Sequence, residues 1–351
     1  MWRVERASKH PFARGSLLAG SAAILFGLTT PLIQWVGRGS GAVPTAACLY
    51  AGAALTSIGM RRASGEEAPI RREHLPRLFL IGLAGGLIAP ASLAWGLQRI
   101  DAAEASLLLN FEAVFTVLLG WLWFREHVGR RVAGALMLML LGGGSLLPNA
   151  MTRGSVLGIA AVLVATFAWS LDNALTRPLA DLNPTEVVRY KGLIGATIGF
   201  GLSFALRQPF PDLGGSIALL AIGATGYGLS LRFYIRAQRE MGAGRTASIF
   251  AVAPFLGAAA AIAVGPQAGG FFLLFPFMIF AGGIYLHVTE THGHQHTHEP
   301  VEHEHAHRHD DGHHDHTHNP PFTGEHSHRH RHEAQTHEHP HPPDLHHQHR
   351  H

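Results

Sequence analysis

The sequence predicts an all-α integral membrane protein: ten transmembrane helices forming two inverted five-helix repeats, followed by a disordered histidine-rich C-terminal tail. Three observations carry this expectation, namely the spacing of charges, an internal similarity at an offset near 140 residues, and the segregation of histidine. Of 351 residues, 47% are hydrophobic and only 15% charged, which is unlike an ordinary soluble domain. Twenty-three of the 27 histidines fall in residues 291–351. Residues 1–290 hold 23 Lys and Arg against 14 Asp and Glu, whereas the tail holds 4 Arg against 10 acids. The pI near 9.3 therefore averages a basic body and an acidic tail, and it carries no nucleic-acid signal. Cys48, the single cysteine, excludes an internal disulfide framework and a Cys-based zinc finger.

A helix needs about 20 apolar residues to cross the hydrocarbon, so the distances between charges locate the spans. Uncharged runs of 23 residues (15–37), 22 (39–60), 21 (78–98) and 21 (132–152) each fit one crossing. Residues 105–124 make another, interrupted only by Glu112, as do 154–176, interrupted only by Asp172, and 213–231. The 44 uncharged residues after Arg245 are too many for one span, and the turn signal at Gly265–Gly270 divides them into two. The remaining span, roughly 184–206, starts at Pro184, which suits a first helical turn. It carries Glu186, Arg189 and Lys191 in its first half. The segments are then 1–14 (cytoplasmic), 15–147 and 154–288 (the two repeats) and 289–351 (the tail).

Orientation follows from Lys and Arg in short loops. With the amino terminus cytoplasmic, the inner side receives Arg3, Arg6, Lys9, Arg14, five Arg between spans two and three, Arg125, Arg130, Arg131, Arg177, Arg232, Arg236, Arg239 and Arg245. The outer side keeps Arg38, Arg99, Arg153 and Arg207. Ten spans return the tail to the cytoplasm, in a plasma (inner) membrane protein with both termini inside. The first apolar run is longer than a signal-peptide core and lacks a small-x-small site, so a cleaved leader is not expected.

The two halves match at an offset near 140. Pro44, Thr45, Tyr50 and Gly52 meet Pro184, Thr185, Tyr190 and Gly192, and Gln98 and Arg99 meet Gln238 and Arg239. An odd number of spans per repeat sets the halves upside down in the membrane, a plan common in secondary transporters. The run Ala105–Leu147, ASLLLNFEAVFTVLLGWLWFREHVGRRVAGALMLMLLGGGSLL, resembles the fourth and fifth spans of the EamA branch of the drug/metabolite transporter superfamily, including Glu126 at the end of the fourth span. The resemblance covers about residues 15–288. It implies ten helices in two inverted repeats, cytoplasmic termini and transport instead of catalysis. Departures are Ala113 where the family usually has Pro (Pro254 holds that place in the second half), Gln267 at the second copy of Glu126, and Tyr50 near the place of a second-span Arg.

Ionisable groups inside a membrane usually face a cavity or a partner. Glu112 with Asn110, Asp172 with Asn173, and Lys191 are the candidates for a substrate path, together with Gln34, Tyr190, Tyr227 and Trp169. A Lys facing carboxylates suits an ion pair opened by proton or solute. The competing reading has Lys191 snorkelling to headgroups beside Arg189, with Asp172 paired to it or to Arg177. Glu112 is too deep to snorkel. Gly82, Gly85 and Gly86 are expected to let helices approach closely.

The tail repeats His-x-His at His292, His294, His296, His298, at His303, His305, His307, His309 and at His326, His328, His330, His332, with a further set at His313, His314, His316, His318. In an extended backbone, alternate residues share a face, so sets of imidazoles with nearby Asp and Glu suit zinc, nickel or cobalt. Binding should weaken as pH falls through about 6.5. No cofactor is required for the membrane body. Three functions compete: a secondary transporter of a small solute or a metal ion, an exporter of an organic metabolite or amino acid with an accessory metal-sensing tail, and a membrane-anchored metal sensor or store without flux. Expected partners are the cargo, the lipid bilayer and a second copy of the chain, and no nucleic acid.

Overall fold

The computed structural model describes residues 11–60, 70–124, 128–148, 151, 155–179, 182–241, 243–264 and 270–289, and in the tail 292–298, 301–307, 326–332 and 335–341. The regular elements of the body are helices among its described residues. In hydrocarbon no water pairs with the backbone, and helices satisfy each N–H and C=O internally. In chain order the helices are α1 (Pro11–Gly27), α2 (Thr29–Val36), α3 (Ala42–Gly59), α4 (Leu75–Leu83), α5 (Ala89–Leu97), α6 (Ala102–Leu108), α7 (Phe111–Phe124) and α8 (Arg130–Gly144). There follow α9 (Val156–Thr176), α10 (Pro184–Ala205), α11 (Leu213–Ile222), α12 (Ser230–Met241), α13 (Ala243–Phe250), α14 (Ala253–Val264) and α15 (Gly270–Val288).

Among the described residues, seven helical stretches are long and apolar enough to cross a membrane, with Phe272–Val288 a shorter apolar helix. This is fewer than the ten expected, for two local reasons. Helix α8 is 15 residues long, and α10 carries Glu186, Arg189 and Lys191. Helix α10 nevertheless starts where Pro184 predicted, because the Asn183 side chain accepts the backbone N–H groups of Thr185 (2.9 Å) and Glu186 (3.3 Å). The span expected over 213–231 is longer, running as α11, a π-helical segment Gly223–Leu229, and α12 to Met241. It takes in Arg232, which is buried.

Several rods are built in two pieces. Helices α4 and α5 are joined by a π-helical segment, Ala84–Ile88, as α11 and α12 are by Gly223–Leu229. Helices α6 and α7 are separated at Leu109–Asn110, where the backbone bonds shorten to three-residue spacing: Asn110 N–H to Leu107 O, Glu112 N–H to Leu109 O and Ala113 N–H to Asn110 O. Helices α13 and α14 break likewise at Ala251–Val252.

Helix α3 packs against α10 and the Gly223–Leu229 segment at the centre, α1 against α12, and α5 against α9. Glycine permits these approaches, as expected for Gly82 and Gly86. A Cβ at Gly82 would lie 2.6 Å from the Ile194 side chain, and one at Gly86 would lie 2.9 Å from Lys191 O.

In the tail, expected to be disordered, the described residues are placed in four strands, β1 (His292–His298), β2 (Val301–His307), β3 (His326–His332) and β4 (Gln335–His341), with β1 antiparallel to β4 and β2 to β3. Lack of an apolar core argues against a packed domain, but strict period-two alternation is itself the strand pattern. Glu126, Gln267, His309, His313, His314, His316 and His318 lie outside the described residues.

Candidate functional site

A cluster of polar and charged groups converges from α7, α9 and α10. Glu112 stands in the first turn of α7, directly after the break at Leu109–Asn110. Helix α9 presents a polar stripe to it at helical spacing, Thr166, Ser170 and Asn173. The Asn173 side-chain amide donates to Glu112 Oε1 (2.7 Å), and the Ser170 hydroxyl lies 2.9 Å from both Glu112 O and Thr166 O. On the next face of α9, Asp172 is 3% exposed and forms an ion pair through Oδ2 with Nζ of Lys191, which is 8% exposed.

Two features close this pair in. A Cβ at Gly85, in the first π-helical segment, would overlap the Asp172 carboxyl group, so only glycine fits beneath it. Lys191 Nζ lies 5.9 Å from the centre of the Tyr50 ring, within cation–π range. Tyr50 begins an aromatic cluster: its ring is 5.3 Å from that of Tyr227, which stacks on Trp169 at 6.3 Å and 27°, and Phe26 meets Trp169 and Tyr227 edge-on. Rings from α1, α3, α9 and the second π-helical segment thus form one cluster, which meets the buried ion pair through Tyr50.

The structure brings Glu112, Asp172 and Lys191 together. Lys191 packs beneath α3 and the Ala84–Ile88 segment, and its ammonium pairs with Asp172, one of the two partners expected for that carboxylate. Arg189, its expected companion, pairs with Glu186 instead. Asn110 lies in the helix break; its amide donates to Leu107 O (2.8 Å), and its buried Oδ1 accepts no hydrogen bond among the described residues. Tyr190 turns away, packing with Leu78, Ile81, Leu179, Leu182 and Val187 under the Arg189 guanidinium.

Gln34 stands apart as a fastener. Its amide donates to Leu97 O (2.7 Å) and Ile100 O (2.8 Å), and its oxygen accepts from Ala102 N–H (3.0 Å). It borders a polar cavity of about 700 Å³ that includes Arg38, Gln98, Arg99, Asp101 and Glu104. At the other end of the body, Arg14 pairs with Glu240 (3.3 Å) and Gly15 packs on Met241. Sequence reasoning missed Ser170, Phe26 and the role of Gly85. The spacing of Thr166, Ser170 and Asn173 in an apolar helix was the available signal. Among the described side chains, no group of three or more His, Cys, Asp or Glu is gathered to hold a metal.

Residues 13–144 match the family described as the EamA-like transporter family. This segment is similar to that family. It contains Glu112 and the first π-helical segment, whereas Asp172 and Lys191 lie beyond it. The chain is similar to proteins described as uncharacterized transporters, from Methanothermobacter thermautotrophicus (30% identical over 209 residues, 57% of this chain) and from Archaeoglobus fulgidus (26% over 189 residues, 52% of this chain). The matches span 60% and 66% of those relatives' lengths. A solved crystal structure, described only as that of a protein, shares the fold with a TM-score of 0.56 at 20% identity, covering 78% of this chain and 94% of its own. The family match over residues 13–144 and the apolar helices support a multi-pass membrane protein.

Proposed function

We propose that the protein is a secondary transporter of a small solute, not an enzyme, working by alternating access between two inverted five-helix halves in the inner membrane, with both termini cytoplasmic. The observation that carries this reading is the buried Asp172–Lys191 ion pair beside Glu112, where helices of both halves meet. Support for two related halves comes from paired backbone devices. The π-helical segments start at Ala84 and Gly223, and the breaks fall at Leu109–Asn110 and Ala251–Val252, each separated by about the sequence offset. The packing pairs α1 with α12 and α5 with α9 obey the same exchange. Discontinuous helices at a repeat interface are where transporters hold their cargo.

Opening a buried ion pair leaves one charge of each sign desolvated, at a cost of several kcal/mol. A cargo carrying both an ammonium and a carboxylate, of the amino-acid class, satisfies both at once. A divalent metal ion as cargo is the second reading, favoured by the proximity of Glu112 and Asp172. The tail is proposed to bind zinc, nickel or cobalt as a cytosolic buffer or sensor through its His-x-His sets. A sensor or store without flux is the alternative of another class.

Reconstituted proteoliposomes separate these readings. Saturable exchange of labelled amino acids that is lost in Asp172→Asn and Lys191→Met supports the first. Uptake of zinc, nickel or cobalt that is lost with Glu112→Ala supports the second. Absence of any saturable flux, with metal still bound, leaves the sensor.

A further inference from the structure

The tail's backbone register specifies how its histidines are brought together. Strand β1 runs antiparallel to β4, and β2 to β3, and in both ladders the numbers of facing residues add to 633. One register therefore relates the arm 292–307 to the arm 326–341. Along it, histidine faces histidine at six places: His292, His294 and His296 face His341, His339 and His337, and His303, His305 and His307 face His330, His328 and His326.

The phase of the pattern makes this pairing informative. In the first arm the histidines occupy even positions through His298 and odd positions from His303. In the second arm they are even through His332 and odd from His337. Either change alone would set histidine against another residue type in one ladder. Because both changes fall between the same two ladders, facing is kept in both, and within them only His298 and His332 meet another residue type, Gln335 and Val301. The alternate positions agree as well, since Glu302 faces Arg331 and Glu304 faces Arg329, and opposite charges directly across an antiparallel pair stabilise it. A slip of one residue would put His303 against an arginine and break the charge match.

We propose that the two arms take divalent transition-metal ions between them, each ion bound by two histidines two apart on one arm and the two that face them on the other. His292, His294, His339 and His341 make one such set, and His303, His305, His328 and His330 a second. Facing residues stand about 5 Å apart and alternate residues of a strand about 6.5 Å, a square of histidines that supplies the four ligands of a tetrahedral zinc site. Metal then closes the ribbon, where independent His-x-His sites would leave the arms free of one another. This rests on the reading that the tail binds a transition metal at all.

The test is calorimetric titration of zinc into the full-length protein in lipid nanodiscs, beside two variants. One has every histidine of the second arm, positions 326–341, changed to asparagine, and the other has every tail histidine so changed. Spin labels at Thr297 and Thr336, which face each other, report closure of the arms. The expected result is tight zinc uptake with a single short label distance in the parent protein. In the second-arm variant, affinity should fall on the order of a hundredfold and the short distance should vanish, although every His-x-His of the first arm remains. If that variant keeps the parent affinity for about half the zinc, the arms bind separately and cross-arm binding is wrong, while the tail remains a metal binder. If the parent takes up no more zinc than the variant stripped of all tail histidines, the metal reading itself fails.

Discussion

The stretches Leu75–Leu97 and Leu213–Met241 share a plan and differ in content. Each is an α-helix that widens into a π-helical segment and resumes as α-helix, with 9, 5 and 9 residues in the first and 10, 7 and 12 in the second. Each carries a Gln-Arg pair near its far end, Gln98-Arg99 and Gln238-Arg239. In the first, the widened segment is Ala-Gly-Gly-Leu-Ile, and Gly85 leaves room for the Asp172 carboxylate. In the second it contains Tyr227, which completes the aromatic cluster, while Gly223 lies against Leu49 O and Gly226 against Thr29. The same backbone device thus admits a charge in one place and supplies a ring in the other. The charges themselves have no counterparts: the positions matching Asp172, Lys191 and Glu112 at the 140-residue offset hold Leu32, Ala51 and Val252. The two stretches are alike in backbone, and unlike side chains set where the buried charges sit.

The comparison breaks most severely at the charges. Lys191→Met leaves Asp172 buried without its partner and should destabilise the fold by about 3–5 kcal/mol, read as a fall in melting temperature in detergent. Adding Asp172→Asn should restore more than half of that loss. Equal stability of the single and double variants would show that the two groups do not act as a pair.

Next come the glycines. Gly85→Val and Gly226→Val should each cost about 1–3 kcal/mol through overpacking. The loss at position 85 should shrink when Asp172 is already alanine, whereas the loss at 226 should not, because its neighbour is Thr29. Denaturation of both variants in the Asp172→Ala background measures this, and equal rescue at the two sites would mean that they do not differ in what they accommodate.

Smaller effects follow at the margins. Gln34→Leu removes one acceptor and two donated bonds to backbone between α2 and the α5–α6 connection. It should cost about 1–3 kcal/mol, with faster hydrogen exchange at Ala102 N–H as the local signature. Arg14→Gln removes an ion pair whose arginine is 72% exposed and should shift stability by at most about 1 kcal/mol. A larger shift in thermal unfolding would mark Arg14 as part of a closed end of the body.

The positions of the helices were legible in the sequence because charge spacing reports directly where the chain tolerates hydrocarbon. Pro184 after Asn183 marked the start of α10, and the structure provides the cap that explains it. The approach of Glu112, Asp172 and Lys191 was legible as chemistry but not as geometry, since helix faces alone do not say which rods touch. The π-helical segments and the break before Glu112 were not legible. They are changes in which carbonyl each N–H selects, and composition hardly alters when that choice moves by one residue. Tyr190, which the 140-residue offset matches to Tyr50, packs elsewhere, and Tyr50 lies by the ion pair. In the tail the alternation that suits ligand spacing also suits paired strands.

The hydroxyl of Ser170 lies within reach of the main-chain oxygen of residue 112, not of its carboxylate. That strap between α9 and α7 therefore survives any exchange of the side chain at 112. A cysteine placed at this position gives up the Asn173 contact but keeps that strap, so a probe attached there reads events at the neighbouring ion pair from a fixed backbone.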